Sequence, residues 1–162
     1  MTDTCNIVTI LFMDDMNHFY EALQQKMSAL TEGVRYRISN LANASALLWE
    51  ELPNINWVGF YLLEGDKLIL GPFQGKSACT EIPVGKGVCG TAAATLKTQV
   101  VADVHEFPGH IACDASSQSE IVIPLFDSNG TFYGVLDIDS PVLNRFTERD
   151  KTGLEAIAAL LR

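Results

Sequence analysis

Cysteines and carboxylates that could do chemistry together are concentrated in one stretch of the chain. They are Cys79, Cys89, Cys113, Glu120, Asp137 and Asp139. A cysteine thiolate is a nucleophile, and a carboxyl group can donate or accept a proton. If the fold brings these side chains to one pocket, that pocket could carry out sulfur chemistry.

A predicted β-hairpin carries the three carboxylates. The runs Ser119–Phe126 and Thr131–Ile138 are rich in β-branched and aromatic residues. Asn129-Gly130 lies between them and is the strongest short-range hairpin signal. The sequence therefore predicts two antiparallel strands joined at these two residues.

The expected register places the three carboxylates on one face of the sheet. With a two-residue turn, Ser128 faces Thr131, and Glu120 lies opposite Asp139 and diagonal to Asp137. Like charges that face one another destabilise a sheet, so a bound cation or a raised pKa that keeps one group protonated would be needed. The alternative is a solvated strand end in a register shifted by one residue.

The remaining pattern indicates α+β architecture. Helical periodicity or composition predicts helices over Asn17–Leu30, Arg35–Leu52, Gly87–Lys97 and Thr147–Leu161. The apolar stripe of the second helix is Ile38, Leu41, Ala42, Ser45, Leu48, Trp49 and Leu52. Further strands are predicted over Asn56–Leu63, Lys67–Phe73, Glu81–Val84 and Thr98–Ala102. Helices at both ends and hairpins between them favour a mainly antiparallel sheet.

Composition limits the classes of partner. The chain has 162 residues with 11 basic and 20 acidic side chains, a net charge of −9, which argues against nucleic acid and anionic membranes. The longest apolar run, Ile7–Met13, is too short to span a bilayer and lacks the basic flank of a signal peptide. We therefore expect a cytoplasmic protein, in which cysteines are redox-active, catalytic or metal-binding.

The expected organisation is a leader of uncertain structure at residues 1–15 and a single domain at residues 16–162. Cys5 has no local partner in sequence and is interpreted as a bystander. The long irregular segment Asp103–Gln118, which contains Cys113, is typical of a functional or mobile loop.

Two familiar motifs are weighed and set aside. Gly85–Gly90 matches G-x-G-x-x-G, but the strand before it is short and contains Pro83, and no parallel βαβ unit surrounds it. A zinc site would use Cys79, Cys89, His105, His110 and Cys113, yet these residues form no C-x-x-C knuckle. A redox site is favoured, and no metal is expected.

Cys89 and Trp57 each permit two interpretations. Cys89 lies in the first turn of a predicted helix, where the dipole lowers the pKa of a thiol, or it is a small buried residue. Trp57 begins a strand and would be a core residue, unless it borders the carboxylate pocket and holds an apolar or sulfonium-like group.

Four stretches carry a family resemblance: LANASALLWEELPNINWVGFYLL, GPFQGKSACTEIPVGKGVCGTAAA, HIACDASSQSEIVIPLFDSNGTFYGVLDIDSP and NRFTERD. From about Asn17 to its end, the sequence resembles the GAF-type free methionine-(R)-sulfoxide reductases. The last stretch also resembles a nucleotide-sensing GAF signature, but a loop that ends in a helix cap at Thr147, with Asp150 completing a capping box, is the favoured interpretation.

The resemblance implies a GAF fold with a six-stranded antiparallel sheet flanked by helices, commonly dimeric. It implies Cys113 as nucleophile, Cys79 as the main resolving thiol and Cys89 as a secondary resolving or supporting cysteine. Glu120, Asp137 and Asp139 would bind the substrate. Trp57 would pack on the methyl end of the substrate.

The implied reaction is thiol-dependent reduction of free methionine-(R)-sulfoxide through a cysteine sulfenic acid and a disulfide that thioredoxin reduces. Glu120 and Asp139 are expected at the sulfoxide oxygen and Asp137 at the substrate ammonium group. No cofactor is implied. The alternative is a GAF sensor domain that binds a small molecule without turning it over.

Overall fold

The computed structural model describes residues 18–109 and 115–162. The predicted leader and Cys5 lie outside these ranges. The helices are α1 (residues 18–31), α2 (Arg37–Glu51), α3 (Gly87–Thr95) and α4 (Glu148–Ala158), with a 3-10 helix at Val104–Glu106. The strands are β1 (Trp57–Glu64), β2 (Lys67–Gly75), β3 (Glu81–Pro83), β4 (Gln99–Val101), β5 (Ser119–Phe126) and β6 (Phe132–Ser140).

The strands form a six-stranded sheet in the order β3-β2-β1-β6-β5-β4. Every neighbouring pair is antiparallel. The predicted α+β class and the expected six-stranded antiparallel sheet are confirmed. None of the helices in the described ranges is long and apolar enough to cross a bilayer.

The two faces of the sheet carry different cores because strand side chains alternate in direction. Helices α1, α2 and α4 cover one face, where they pack on residues such as Ile121 and Ile138. Helix α3 covers the other face, where Trp57, Tyr61 and Val122 are buried. The carboxylates of the hairpin lie on this second face, because Glu120 is two residues from Val122 in β5. Helix α3 therefore covers them.

The predicted hairpin register is confirmed over most of its length, but the predicted turn is wrong. Glu120 pairs with Asp139, as expected for the two-residue turn. The backbone N–H of Asp127 instead donates to the carbonyl of Thr131 at 2.9 Å, and Gly130 adopts a left-handed φ of 78°. The side-chain oxygen of Asp127 accepts two backbone N–H groups and stabilises this longer turn. A register shift between Leu125 and Phe126 restores the predicted pairing beyond it.

The glycine motif has a structural part in this fold. It links β3 to α3, and the backbone N–H of Gly85 donates to the carbonyl of Gly90 at 2.8 Å. Because β3 pairs antiparallel with β2, the motif does not stand in a parallel βαβ unit. The motif therefore lacks the structural context of a dinucleotide-binding site, as expected from the sequence.

The NRFTERD segment forms the predicted helix cap. Thr147 and Asp150 make a reciprocal capping box at the start of α4. The carboxylate of Asp150 also accepts hydrogen bonds from Tyr20 of α1 at 2.8 Å and from Arg145 at 2.9 Å. Arg145 in turn donates to the carbonyl of Pro53. The segment therefore ties α1, α4 and the end of α2 together.

Candidate active site

One row of residues crosses the centre of the sheet and defines the site. Trp57 of β1 pairs with Asp139 of β6, and Asp139 pairs with Glu120 of β5. In the next row on the same face, Gly59 pairs with Asp137. The predicted carboxylates and the predicted tryptophan therefore meet on one face.

Helix α3 brings a thiol to the same place. The Sγ of Cys89 lies 4.0 Å from Oε1 of Glu120, at the long limit of a thiol hydrogen bond. Cys89 and Glu120 are each 5% exposed and Asp137 is 6% exposed, whereas Asp139 is half-buried. The alternative of a solvated strand end is thus wrong for Glu120 and Asp137. Burial requires these groups to share protons or to bind a partner.

The buried carboxyl groups hold protons more tightly than solvated ones. Burial raises the pKa of Glu120 well above its usual value, and the charges of Asp137 and Asp139 raise it further. Burial raises the pKa of Asp137 to about 6, although hydrogen bonds from Cys89 and Glu120 oppose that change. At neutral pH, Glu120 is therefore a proton donor beside a largely ionised Asp137.

The prediction that the helix dipole lowers the pKa of Cys89 is wrong. Burial raises the pKa of this thiol well above its usual value, and the charges of Asp137 and Glu120 act in the same direction. Desolvation and neighbouring negative charges outweigh the effect of a helix start. Cys89 is therefore a protonated hydrogen-bond donor within the cluster.

Asp137 offers an acceptor to a positively charged or N–H-bearing ligand. Its Oδ1 atom is buried and has no hydrogen-bond partner among residues 18–109 and 115–162. Unpartnered buried acceptors are uncommon because desolvating them costs free energy that no contact offsets. An arriving ammonium group would supply the missing contact.

Trp57 is both a core residue and a wall of the site. It is 3% exposed and stacks between Tyr61, with ring centroids 5.9 Å apart, and Phe73, at 5.3 Å. Its ring lies over Gly59, where an added Cβ would approach the Cη2 atom to 2.5 Å. A glycine is therefore needed for the indole to lie along the sheet beside Asp137.

Tyr61 and Phe73 are wall residues that sequence reasoning missed. Tyr61 follows Trp57 by four residues in β1 and so has the same parity, which is the signal that could have found it. Phe73 is brought to the wall by the pairing of β2 with β1, and Gly59 pairs with it. These rings give the acidic cluster an aromatic flank.

The loop that carries Cys79 lies against this aromatic wall. Cys79 follows β2 and is half-buried. It is disulfide-bonded, whereas Cys89 is a free thiol, so these two cysteines are not bonded to one another. Cys113 lies in 110–114, outside the described residues.

Within residues 18–109 and 115–162, the cluster of Cys89, Glu120 and Asp137 is a candidate set of ligands for a metal ion. Among the described residues, donor atoms of Cys89, Glu120 and Asp137 lie within 4.8 Å of one another. His105 is 66% exposed and its ring nitrogen lies 2.8 Å from the carboxylate of Asp103. The compact cluster has thiol and carboxyl donors that suit a borderline divalent cation.

Comparison with known proteins identifies the family. The GAF domain family model matches residues 21–162. Free methionine-R-sulfoxide reductase of Escherichia coli (strain K12) is 57% identical over 143 residues, which cover 88% of this chain and 86% of that protein. The protein of the same name from Saccharomyces cerevisiae is 47% identical, covering 87% of this chain and 82% of its own length. The chain belongs to the family of GAF-domain free methionine-(R)-sulfoxide reductases.

Solved structures of this family agree with the fold. The structure of fRMsr of Staphylococcus aureus in complex with substrate has a TM-score of 0.83 and 56% sequence identity to this chain. The match covers 87% of this chain and 92% of that one. The predicted family and the predicted GAF fold are confirmed.

Proposed function

We propose that this chain reduces free L-methionine-(R)-sulfoxide to methionine with cysteine thiols. The observation that carries the proposal is the buried cluster of Glu120, Asp137 and Cys89 beside Trp57, in a chain of this reductase family. The cluster combines a proton donor, an ionised carboxylate and an aromatic wall. These are the groups that a zwitterionic sulfoxide needs.

The first step needs a protonated or strongly hydrogen-bonded sulfoxide oxygen. Glu120, whose burial keeps it protonated, would donate to that oxygen together with Asp139, its partner across the strand pair. A thiolate on Cys113 then attacks the sulfoxide sulfur. The oxygen is transferred to Cys113 as sulfenic acid and methionine leaves.

The second step removes the oxygen from the enzyme. The thiol of Cys79 attacks the sulfenic sulfur of Cys113, a disulfide forms, and the hydroxyl leaves with the thiol proton as water. The disulfide-bonded state of Cys79 supports its role as resolving cysteine. The raised pKa of Cys89 favours a supporting role for that thiol over a resolving one.

Binding of the substrate follows from the same geometry. Asp137 takes the α-ammonium group on its Oδ1 atom, which has no hydrogen-bond partner in the described part of the chain, and Trp57 packs on the methyl end. Thioredoxin, a dithiol reductant of the cytoplasm, would return the enzyme to its thiol form. We further propose a homodimer and a cytoplasmic location, which size-exclusion light scattering and cell fractionation would test.

A single-turnover experiment tests the reductase function. Reduced protein is mixed with excess methionine-(R)-sulfoxide without external reductant, and released methionine is quantified per chain. One equivalent is expected from the wild type and none from Cys113→Ser. Stoichiometric release by Cys113→Ser would overturn the assignment of the nucleophile.

The rival function is a GAF sensor domain that binds without turnover. It is separated by NADPH consumption in the presence of thioredoxin, thioredoxin reductase and methionine sulfoxide. A reductase consumes NADPH in proportion to the sulfoxide supplied. A sensor domain would bind the amino acid and consume none.

A further inference from the structure

The hydroxyl of Tyr61 holds the loop that carries Cys79. It donates a hydrogen bond of 3.1 Å to the backbone carbonyl of Cys79 itself. Tyr61 is 1% exposed and sits in β1, between β2 and β6 at the centre of the sheet. A rigid strand is thus fixed to the residue that must reach the sulfenic acid.

Two further backbone carbonyls of the loop are bonded by residues of the sheet. The indole N–H of Trp57 donates to the carbonyl of Lys76 at 3.0 Å. The backbone N–H of Leu70 donates to the carbonyl of Thr80 at 2.9 Å. Of these three tethers, the bond from Tyr61 is the one made to Cys79. Its loss would remove a direct bond between the sheet and Cys79, which its disulfide also holds, while the bonds to Lys76 and Thr80 stay in place.

Tyr61 also borders the acidic cluster. Its ring stacks on Trp57, and its hydroxyl pKa is raised by burial and by the charges of Asp137, Cys89, Asp139 and Glu120. The phenol therefore stays protonated and can only donate to the carbonyl of Cys79 or accept from another group. It links the wall of the substrate site to the Cys79 loop.

We propose that Tyr61 is a positioning residue for the resolving step. In the disulfide-bonded form its hydroxyl is bonded to the backbone of Cys79, and the same bond would hold the residue in this position while its thiol attacks the sulfenic acid. The inference rests on the proposed function. In the affected step the S–O bond of the sulfenic acid breaks and an S–S bond forms. The sulfenic sulfur is reduced, the thiol sulfur is oxidised, and the thiol proton leaves with the hydroxyl as water.

The test separates the two steps in Tyr61→Phe, which keeps the stacked ring and removes the hydroxyl. Released methionine reports the first step, and mass spectrometry after trapping with a sulfenic-acid reagent reports the second. We expect the ratio of the rate of disulfide formation to the rate of methionine release to fall about 3- to 10-fold relative to wild type, as expected for one lost hydrogen bond. Disulfide formation at the wild-type rate would overturn the proposal, as would an equal slowing of both steps.

A matched control and a cycle of variants test whether the slowing comes from a general loss of stability and not from the bond to Cys79. Tyr133→Phe deletes another tyrosine hydroxyl, which donates to the backbone carbonyl of Leu161 on the opposite face of the sheet, and should change neither step. If Tyr61 acts through Cys79, adding Tyr61→Phe to Cys79→Ser should not extend the lifetime of the sulfenic acid further. A further extension would place the action of Tyr61 elsewhere.

Ala78→Gly provides a second variant if Tyr61→Phe does not fold. It loosens the backbone beside Cys79 and changes no residue of β1, so the hydroxyl of Tyr61 is kept. The same selective slowing of disulfide formation is expected, and an unchanged rate would overturn the proposal. Failure of the reductase function itself would appear differently, as no methionine released by the wild type in the first turnover.

Discussion

Glu120 of β5 lies directly opposite Asp139 of β6, in the row of the sheet that begins with Trp57 of β1. Cys89 approaches Glu120 from α3 on the same face. Two carboxyl groups in this position would repel one another if both were ionised. Burial and the neighbouring negative charges raise the pKa of Glu120, so this carboxyl group stays protonated and the repulsion is avoided. A protonated carboxyl group can then donate its proton.

Glu120→Gln should lower kcat more than it weakens binding. The amide can still donate a hydrogen bond but cannot transfer a proton to the sulfoxide oxygen, a contribution of about 10²–10⁴-fold. Steady-state kinetics with Glu64→Gln, an exposed carboxylate at the end of β1, as control would measure the effect. A change confined to KM would mean that Glu120 supplies uniform binding.

The buried carboxyls should also reduce stability at neutral pH. The pKa of Asp137 is raised to about 6 in the fold, against an ordinary value of 3.8, so ionisation opposes folding as pH rises through this window. Asp137→Asn should therefore raise the free energy of unfolding by up to roughly 3 kcal/mol at pH 7. Below pH 3.8, Asp137 is protonated in both the folded and the unfolded protein, so the stability gained by Asp137→Asn should vanish. Urea unfolding at several pH values measures this, and a pH-independent difference would contradict it.

The part of the site that sequence could predict is the part fixed by strand periodicity. Glu120 shares a face with Asp139 because the two residues pair directly across the hairpin. Asp137 shares that face because it lies two residues from Asp139 in the same strand. The turn was wrong because the carboxylate of Asp127 stabilises a longer loop. The register survived because a shift next to Phe126 compensates for it.

Properties that depend on tertiary packing were not predictable in the same way. The pKa of Cys89 was predicted from its place in a helix, but the direction is set by carboxylates from two strands and by burial. In α2, Ile38 and Trp49 were assigned to the apolar stripe, yet they are 59% and 41% exposed. Helical spacing allows several neighbouring phases, and contact with the sheet selects one of them.

Asp150 should stabilise the fold in a pH-dependent way. Burial alone would raise its pKa, but hydrogen bonds from Thr147, Arg145 and Tyr20 outweigh burial and lower it. The stabilisation is fully present above pH 3.8 and is lost as pH falls through the lower folded value. Asp150→Asn should lower the free energy of unfolding by about 3 kcal/mol at pH 7, because it breaks the buried ion pair with Arg145. The decrease should be smaller at acidic pH.

Urea unfolding at pH 7 and at acidic pH would measure the effect of Asp150→Asn. Glu148→Gln, in the same first turn of α4 but with its side chain 86% exposed, is the matched control and should change little. A cost that is the same at both pH values would contradict the role assigned to the ionised carboxylate.

Cys79→Ser and Cys89→Ser should differ in recycling. Without Cys79, one methionine per chain is released but the sulfenic acid finds no resolving thiol, so turnover with thioredoxin should fall sharply. In Cys89→Ser a hydroxyl replaces the thiol and can still donate within the cluster, so recycling should continue. Methionine release and NADPH consumption measure the two steps. The opposite result would mean that the two resolving roles are reversed.

The enzyme should act on free methionine sulfoxide and discriminate against sulfoxide within a peptide. Asp137 presents a buried oxygen that has no hydrogen-bond partner among the described residues, and its pKa of about 6 leaves it largely ionised at pH 7. An α-ammonium group would neutralise it, whereas a peptide N–H is neutral and would leave the charge desolvated without a counterion. The kcat/KM for N-acetyl-methionine-(R)-sulfoxide should therefore be at least about tenfold below that of the free amino acid.

Asp137→Asn provides the matched comparison for that test. It removes the negative charge and keeps the shape of the side chain, so it should lower kcat/KM for the free amino acid far more than for the N-acetyl derivative. The wild-type preference should also weaken as pH falls below about 6, because Asp137 takes up a proton and loses its attraction for the ammonium group. Equal kcat/KM for the two substrates at pH 7 would contradict both the specificity and the role of Asp137. Equal preference in wild type and Asp137→Asn would assign the recognition of the ammonium group to another residue.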